Sequence, residues 1–271
     1  MVSLKKQAGL VQDMTLGRPI KLILEFYFPL LMGSFFGQLY NIADTSVVGY
    51  FIGEEAFAAV GATSSMYVLM TSMASSMNSG FAIITTQAFG AKNEEKLRQS
   101  VAGSFVLNGM VISILTLGST LLLRPLMRLL NTPAEIFDQA YIYMLTLLIG
   151  LVATMTNWMF ASILRAVGNS RTPLYFSIFS NVLNITLDII FVVVLEFGVF
   201  GVAFATVISQ AISAVGCGFL IFKNYKFVFP GKDDFKKSIR LWSKLFSSGV
   251  SLSMAFSVIH IGTVIFQSAI N

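Results

Sequence analysis

The sequence is poor in charge and nearly empty of the residues that build soluble active sites. Of its 271 residues 11% are charged and 55% are apolar, with a mean hydropathy of +0.78. A soluble domain carries roughly 25% charged residues. Too few charges remain here to coat a globular surface, which excludes an ordinary soluble protein and a disordered chain. The single cysteine, Cys217, forms no internal bridge, which excludes a disulfide scaffold. The sequence has no metal-ligand cluster, no phosphate-binding glycine loop and no Gly-x-Ser-x-Gly elbow. These absences point away from an enzyme, a metalloprotein and an ATP-driven pump. The net charge of +5 is dispersed between apolar blocks, so no nucleic-acid partner is expected. What remains is an integral membrane protein with membrane lipid as its first partner.

Charge-free runs cover residues 26–43, 56–91, 99–123, 139–164, 172–187, 197–222 and 245–271. A helix needs about 20 apolar residues to cross a hydrocarbon core roughly 30 Å thick. Five runs meet that length, and the other two stop at a single aspartate, Asp44 and Asp188, with apolar sequence resuming beyond. The runs are continuous and do not alternate every second residue, which predicts helices and not barrel strands. The expectation is therefore an all-α membrane protein with seven spans and two intramembrane carboxylates. Thr172-Pro173 marks a helix start, with proline in the first turn, where its missing N–H costs least.

All but two of the 18 Lys and Arg fall before the first span or in the loops after the second, fourth and sixth; Arg124 and Arg128 are the exceptions. The positive-inside rule then places the N-terminus and the basic loops in the cytoplasm. Residues 1–17 lack a signal-peptide core and read as a cytoplasmic lead-in. Residues 18–222 read as a six-helix bundle and 223–244 as a basic linker anchored near anionic lipid. Residues 245–271 read as the first helix of an incomplete second bundle.

A carboxylate at mid-membrane costs about 2.5–3.5 kcal/mol on insertion scales, so such groups face the bundle interior and carry function. Asp44 has Tyr40, Asn41 and Gln38 behind it on the first helix; Asp188 has Asn184 and Asn181 behind it on the fifth. Thr206, Ser209 and Gln210 line the sixth helix, and Asn157 lies in the fourth. This is a set of oxygen donors without soft ligands, suited to a proton or to Na⁺. The competing explanation is a polar network that glues helices together.

Weaker features accompany these. Pro29 interrupts the first helix as a kink or a hinge. Met66, Met70, Met73 and Met77 form a stripe on the second helix, either packing or an adaptable wall for apolar ligands. Gly33 and Gly37 are spaced for close helix packing, and Lys21 with Glu25 reads as a surface pair. His260 reads as a hydrogen-bonded interior group.

Four stretches together resemble the multidrug and toxic compound extrusion (MATE) family. They are Asn41-Ile-Ala-Asp44-Thr-Ser-Val-Val-Gly49, Gln87-Ala-Phe-Gly90-Ala-Lys92, Leu164-Arg165-Ala-Val-Gly168-Asn-Ser-Arg171-Thr-Pro173, and Asn181-Val-Leu-Asn184-Ile-Thr-Leu-Asp188 followed by Gly201-Val-Ala-Phe-Ala-Thr206. The resemblance implies a six-helix N-terminal lobe of a secondary antiporter that exchanges H⁺ or Na⁺ for amphipathic or cationic drugs, in a bacterial cytoplasmic membrane. It implies coupling-ion binding at Asp44, Asp188, Asn184 and Thr206, support from Asn157, and bending at Pro29.

The family has two such lobes facing one cavity, so a second lobe is expected, either the other half of a longer chain or a second copy. A flippase for lipid-linked sugars of the same superfamily is the nearest rival. No Lys or Arg is read into a span interior, which favours the drug antiporter. A truncated membrane protein without transport is the rival of a different class.

Overall fold

The computed structural model describes residues 18–270, with side chains at all but 259 and 268–270; the lead-in at residues 1–17 lies outside the described residues. The described chain is helical and contains no strand. In lipid this follows from hydrogen bonding, because a helix satisfies its backbone groups within one segment. Five helices are each long and apolar enough to cross a membrane. Two bent pairs, Ala134–Ile149 with Leu151–Ala166 and Lys232–Val258 with His260–Gln267, raise the number to seven if each is one span.

Helix α1 (Pro19–Val47) starts with proline in its first turn and runs into a π-helical turn, Val48–Ile52, that ends at Gly53 with φ of 118°. Lys21 and Glu25 pair on its exposed surface at 3.8 Å. Helix α2 (Glu54–Gly90) opens with two glutamates, whose charge suits the positive end of the helix dipole. Helix α3 (Glu94–Leu129) is capped by Asn93, whose Oδ1 accepts from the Lys96 N–H at 2.9 Å.

The span expected at 139–164 is broken. Helices α4 (Phe137–Ile149) and α5 (Leu151–Ala166) meet at Gly150, and the pair that includes the short turn at Ala134–Ile136 bends by 44°. A Cβ on Gly150 would fall 2.1 Å from Val207, so the seventh helix seats directly on the break. Helix α6 (Arg171–Ile189) has Pro173 in its first turn and continues into a second π-helical turn, Ile190–Val194. Helix α7 (Gly198–Asn224) follows, after which Asn169 Nδ2 donates to the buried Tyr225 hydroxyl at 2.6 Å.

Helix α8 (Lys232–Ile270) begins inside the segment read as linker, so residues 232–244 are helical and continuous with the seventh span. Its first turns dock on the start of α3: Lys237 meets Glu95 at 2.8 Å and Arg98 meets Asp234 at 3.4 Å. Further along, α8 packs on α2 where two glycines face each other. A Cβ on Gly80 would fall 2.5 Å from Gly249 Cα, and Ser76 and Ser253, one turn from each glycine, are buried. This is close small-residue packing, the arrangement expected where apolar lipid supplies no net drive for association. Gly33 and Gly37, read as such a pair, do not make one. A Cβ on Gly33 would have only ordinary contact with Leu174 at 3.8 Å, and one on Gly37 would face open space.

Replacing Gly80 by Leu is expected to unseat α8, at the roughly 1–3 kcal/mol typical of overpacking a filled interface. Gly37→Ala serves as the control and should be neutral or slightly stabilising. Thermal unfolding in detergent, followed through Trp242 on α8, distinguishes the two. Equal melting temperatures for both variants would refute the glycine contact.

Candidate functional site

Both intramembrane carboxylates lie one turn or less before a π-helical turn: Asp44 ahead of Val48–Ile52 on α1, Asp188 ahead of Ile190–Val194 on α6. Such turns recur at functional sites because they interrupt the regular helical ladder. The two π-turns pack on each other. Val47, Val48, Val192 and Val202 close one side of the pair with buried apolar surface.

Asp44 is 7% exposed and Asp188 fully buried, and their carboxyls lie close enough to interact. Asp188 Oδ2 also accepts from the Asn184 amide nitrogen at 3.0 Å. The Asn184 oxygen in turn accepts from the Thr206 N–H at 3.1 Å and the Thr206 hydroxyl at 3.2 Å. The Tyr40 hydroxyl lies 3.1 Å from Thr206 Oγ1. Thr206 has one hydrogen to give, to Asn184 or to the Val202 carbonyl 3.2 Å away, and with it given to either, Tyr40 is the donor. A chain of hydrogen bonds thus runs from Tyr40 on α1 through Thr206 on α7 to Asn184 and Asp188 on α6, and back to Asp44 on α1. One oxygen of each carboxyl, Asp44 Oδ1 and Asp188 Oδ1, is buried without a partner.

A carboxylate accepts hydrogen bonds and donates none. A hydrogen bond between the two carboxyls therefore requires a proton on one of them. The two unpartnered oxygens are the atoms that a hard cation would take instead. Among the described residues no group of three or more His, Cys, Asp or Glu is placed to hold a metal ion.

Of the residues singled out in the sequence, Asp44, Asp188, Asn184, Thr206 and Tyr40 come together. Asn41 and Gln38 do not: both are exposed. At 100° per residue Tyr40 lies about 40° from Asp44 on one side, whereas Asn41 and Gln38 lie about 60° and 120° round on the other. Asn181 donates to the Phe36 carbonyl at 3.2 Å, tying α6 to α1 nearby. Asn157 belongs to a second polar group, donating to Gln210 Oε1 at 2.8 Å and accepting from Ser213 at 3.2 Å.

That second group lines a cavity of about 260 Å³ between α1, α5, α6 and α7, whose walls also include Pro29, Trp158, Arg165 and Ser180. Arg165 thus reaches a cavity inside the bundle, against the expectation that no span interior holds a cation.

The methionine stripe is mainly packing. Met66 is 4% exposed in a core cluster with Leu123, Met144 and Leu148; Met70 leans on the same cluster and Met77 on the next two. Met73 is half-buried. The sequence reading missed Tyr67 on α2 and Tyr143 on α4, both close enough to interact with Asp44. Each sits in a charge-free run among apolar neighbours, so nothing local distinguishes it.

The MatE family pattern matches residues 29–190, more than half of the chain and both carboxylates included. The chain belongs to the MatE family. Among curated relatives of this MatE chain is the probable multidrug resistance protein YpnP of Bacillus subtilis (strain 168), 27% identical over 96% of this chain and 58% of that one. YoeA of the same organism, likewise a probable multidrug resistance protein, is 29% identical over 68% of this chain and 41% of its own. An outward-facing multidrug resistance MATE family transporter of the MOP superfamily superposes with a TM-score of 0.82 at 26% identity, over 88% of this chain and 53% of that one. The chain spans about half the length of the curated relatives it matches. It carries the fold of a family of transporters, with a six-helix MatE lobe and a seventh helix.

Thr206→Val keeps the side-chain shape and removes the hydroxyl that joins Tyr40 to Asn184. It is expected to cost about 1–3 kcal/mol of stability, because both partners are left without it in a buried site. Thr186→Val, which removes an exposed hydroxyl bonded only to its own helix, should cost far less. Unfolding in detergent measures both, and equal losses would refute the hydrogen-bond chain.

Proposed function

We propose that this chain is the N-terminal lobe of a drug antiporter that exchanges H⁺ or Na⁺ for amphipathic or cationic compounds. The observation that carries this reading is the buried pair Asp44–Asp188, in contact and with one free oxygen on each side. In one state the pair holds a proton between its two carboxyls; in the other, loss of the proton or entry of Na⁺ changes the charge between α1 and α6. Asn184, Thr206 and Tyr40 hold the two carboxyls in register while this happens. Pro29, fifteen residues before Asp44, has no N–H for the carbonyl four residues back, and so gives α1 a place to bend. The lobe then narrows and releases its substrate outside.

Alternating access needs two halves. The second half is the remainder of a longer chain or a second copy of this one. The basic loops support a cytoplasmic N-terminus by the positive-inside rule, and the reading as a whole suits a bacterial cytoplasmic membrane. A transport-competent particle is expected to have a protein mass near twice 29.6 kDa; dye efflux by a 29.6 kDa species alone would overturn the two-lobe requirement.

Asp188→Asn is expected to abolish ion-coupled dye efflux from vesicles while leaving insertion and helix content intact, and Asp44→Asn to do the same. Unimpaired efflux by either variant would sink the assignment. Absence of flux in the unsubstituted two-lobe particle would favour a membrane protein that does not transport. The flippase reading gains one observation from the structure, the Arg165 guanidinium at a cavity wall. Flux of a lipid-linked sugar in place of a cationic dye would decide for it.

A further inference from the structure

The cavity between α1, α5, α6 and α7 lies apart from the carboxylate pair. Along α6 its walls run from Pro173, about 22 Å from Asp188 at 1.5 Å per residue, to Asn181, about 10 Å from it, and neither carboxylate lines the cavity. Its walls hold no Asp or Glu, and Arg165 is the one permanent charge among them. The guanidinium bonds Ser162 Oγ at 3.0 Å, and among the described residues no carboxylate lies within ion-pair distance of it. A guanidinium carries five N–H donors and no acceptor, so one contact to Ser162 leaves most of its donors unspent.

The neighbouring amide is oriented in the same sense. Gln210 Oε1 is taken by the Asn157 amide, so Gln210 offers the cavity its NH₂ end. Ser180 lines the same space, 1% exposed, and its hydroxyl has no partner. Trp158 and Phe176 supply flat apolar surface beside these donors. A half-buried cation without a counter-charge is costly, and it is relieved when an anion binds to it. A planar fork of N–H groups is matched best by the two oxygens of a carboxylate or phosphate.

We infer that this cavity binds an organic oxyanion, a carboxylate or phosphate group on a small apolar body, with Arg165 as its counter-charge. The volume of about 260 Å³ suits a head group or a small aromatic acid and falls below that of a pocket for a whole drug. The same lobe then has an acidic site for a cation on one side and a basic site for an anion on the other. This goes beyond the exchange of cations and does not depend on it.

The test uses the full chain with Trp242→Phe, which leaves Trp158, in the cavity wall, as the only tryptophan of the two. In detergent, benzoate is expected to change Trp158 emission saturably, and benzamide, its neutral analogue, to bind about ten-fold more weakly or worse. Arg165→Gln should raise the benzoate half-saturation by a similar factor, while Arg165→Lys, which keeps the charge, should retain most of the response. Circular dichroism checks that each variant keeps its helix content, and the ratio of benzoate to benzamide stands even if Arg165→Gln does not fold.

Nanodiscs separate the sources of the oxyanion. If phosphatidylglycerol discs already shift Trp158 as benzoate does and block its effect, the natural occupant is a lipid head group. If benzoate acts equally in phosphatidylglycerol and phosphatidylcholine discs, it is a free solute. No saturable change, benzamide binding as well as benzoate, or benzoate binding unchanged in folded Arg165→Gln would each overturn the inference. No transport is measured, so the outcome is independent of whether Asp44 and Asp188 couple an ion.

Discussion

Two carboxyl groups cannot leave water separately without heavy cost, and the rest of this lobe is arranged so that they leave it together. Asp44 and Asp188 come from helices far apart in sequence, and α7 brings the hydroxyl that completes their surroundings. Each contact removes a penalty that another would otherwise carry. Asp44 and Asp188 interact with each other, Asn184 fixes the second acid, and Thr206 fixes Asn184. Remove any of these and a buried polar atom is stranded in a medium that offers no water to replace it. The junction of α1, α6 and α7 is therefore specified by hydrogen-bond accounting as much as by shape. The two π-helical turns, packed on each other just past the acids, show both helices leaving regular geometry at the same depth.

A different rule governs the opposite flank. Among the described residues no side chain bonds another between α2 and α8 at the crossing, and the helices touch backbone to backbone at Gly80 and Gly249. Dispersion over a close, well-fitted contact replaces polar pairing. The salt bridges of Arg98 with Asp234 and Lys237 with Glu95 lie where α8 begins, outside its charge-free run, and there they fix direction more than they add stability. The amphipathic start of α8 thus rides on the first bundle, so the segment leading to the seventh span is held by the same helices that hold the site.

How much of this the sequence disclosed follows from which interactions leave a local mark. A charge inside an apolar run is conspicuous, so Asp44 and Asp188 were legible, as were Asn184 and Thr206 once the family resemblance supplied their role. Helical spacing alone could not separate Tyr40, which turns toward Asp44, from Asn41, which turns away, because both lie within one turn of it. The break at Gly150 was invisible for another reason. Glycine in an apolar run is common in membrane helices, and only the approach of Val207 from another helix gives this one its purpose. Gly33 and Gly37 show the converse, a spacing that matched a packing motif where one glycine has only ordinary contact with a partner helix and the other has none. Arg165 was read as a loop charge because it ends a span; its reach back into the cavity is a property of a long side chain that sequence position does not reveal.

The acid pair and the cavity are distinct in chemistry but share their walls. Helices α1, α6 and α7 each contribute to both: Pro29 and Asp44 on α1, Ser180 and Asp188 on α6, Gln210 and Thr206 on α7. Of the three, α1 is by far the least buried, and it carries a proline at the cavity wall. A change of charge at the acid pair alters the attraction between α1 and α6 at one end of both helices. Helix α6 is braced by α1 and α7 together, whereas α1 packs chiefly on α6 alone. The mechanical response therefore falls on α1, whose backbone lacks a rung at Pro29. Movement there changes the wall that Pro29 shares with Arg165 and Ser180. An ion bound at one end of the lobe, as proposed, and a solute held at the other would be connected in this way through one weakly braced helix, with no relay of side chains needed between them.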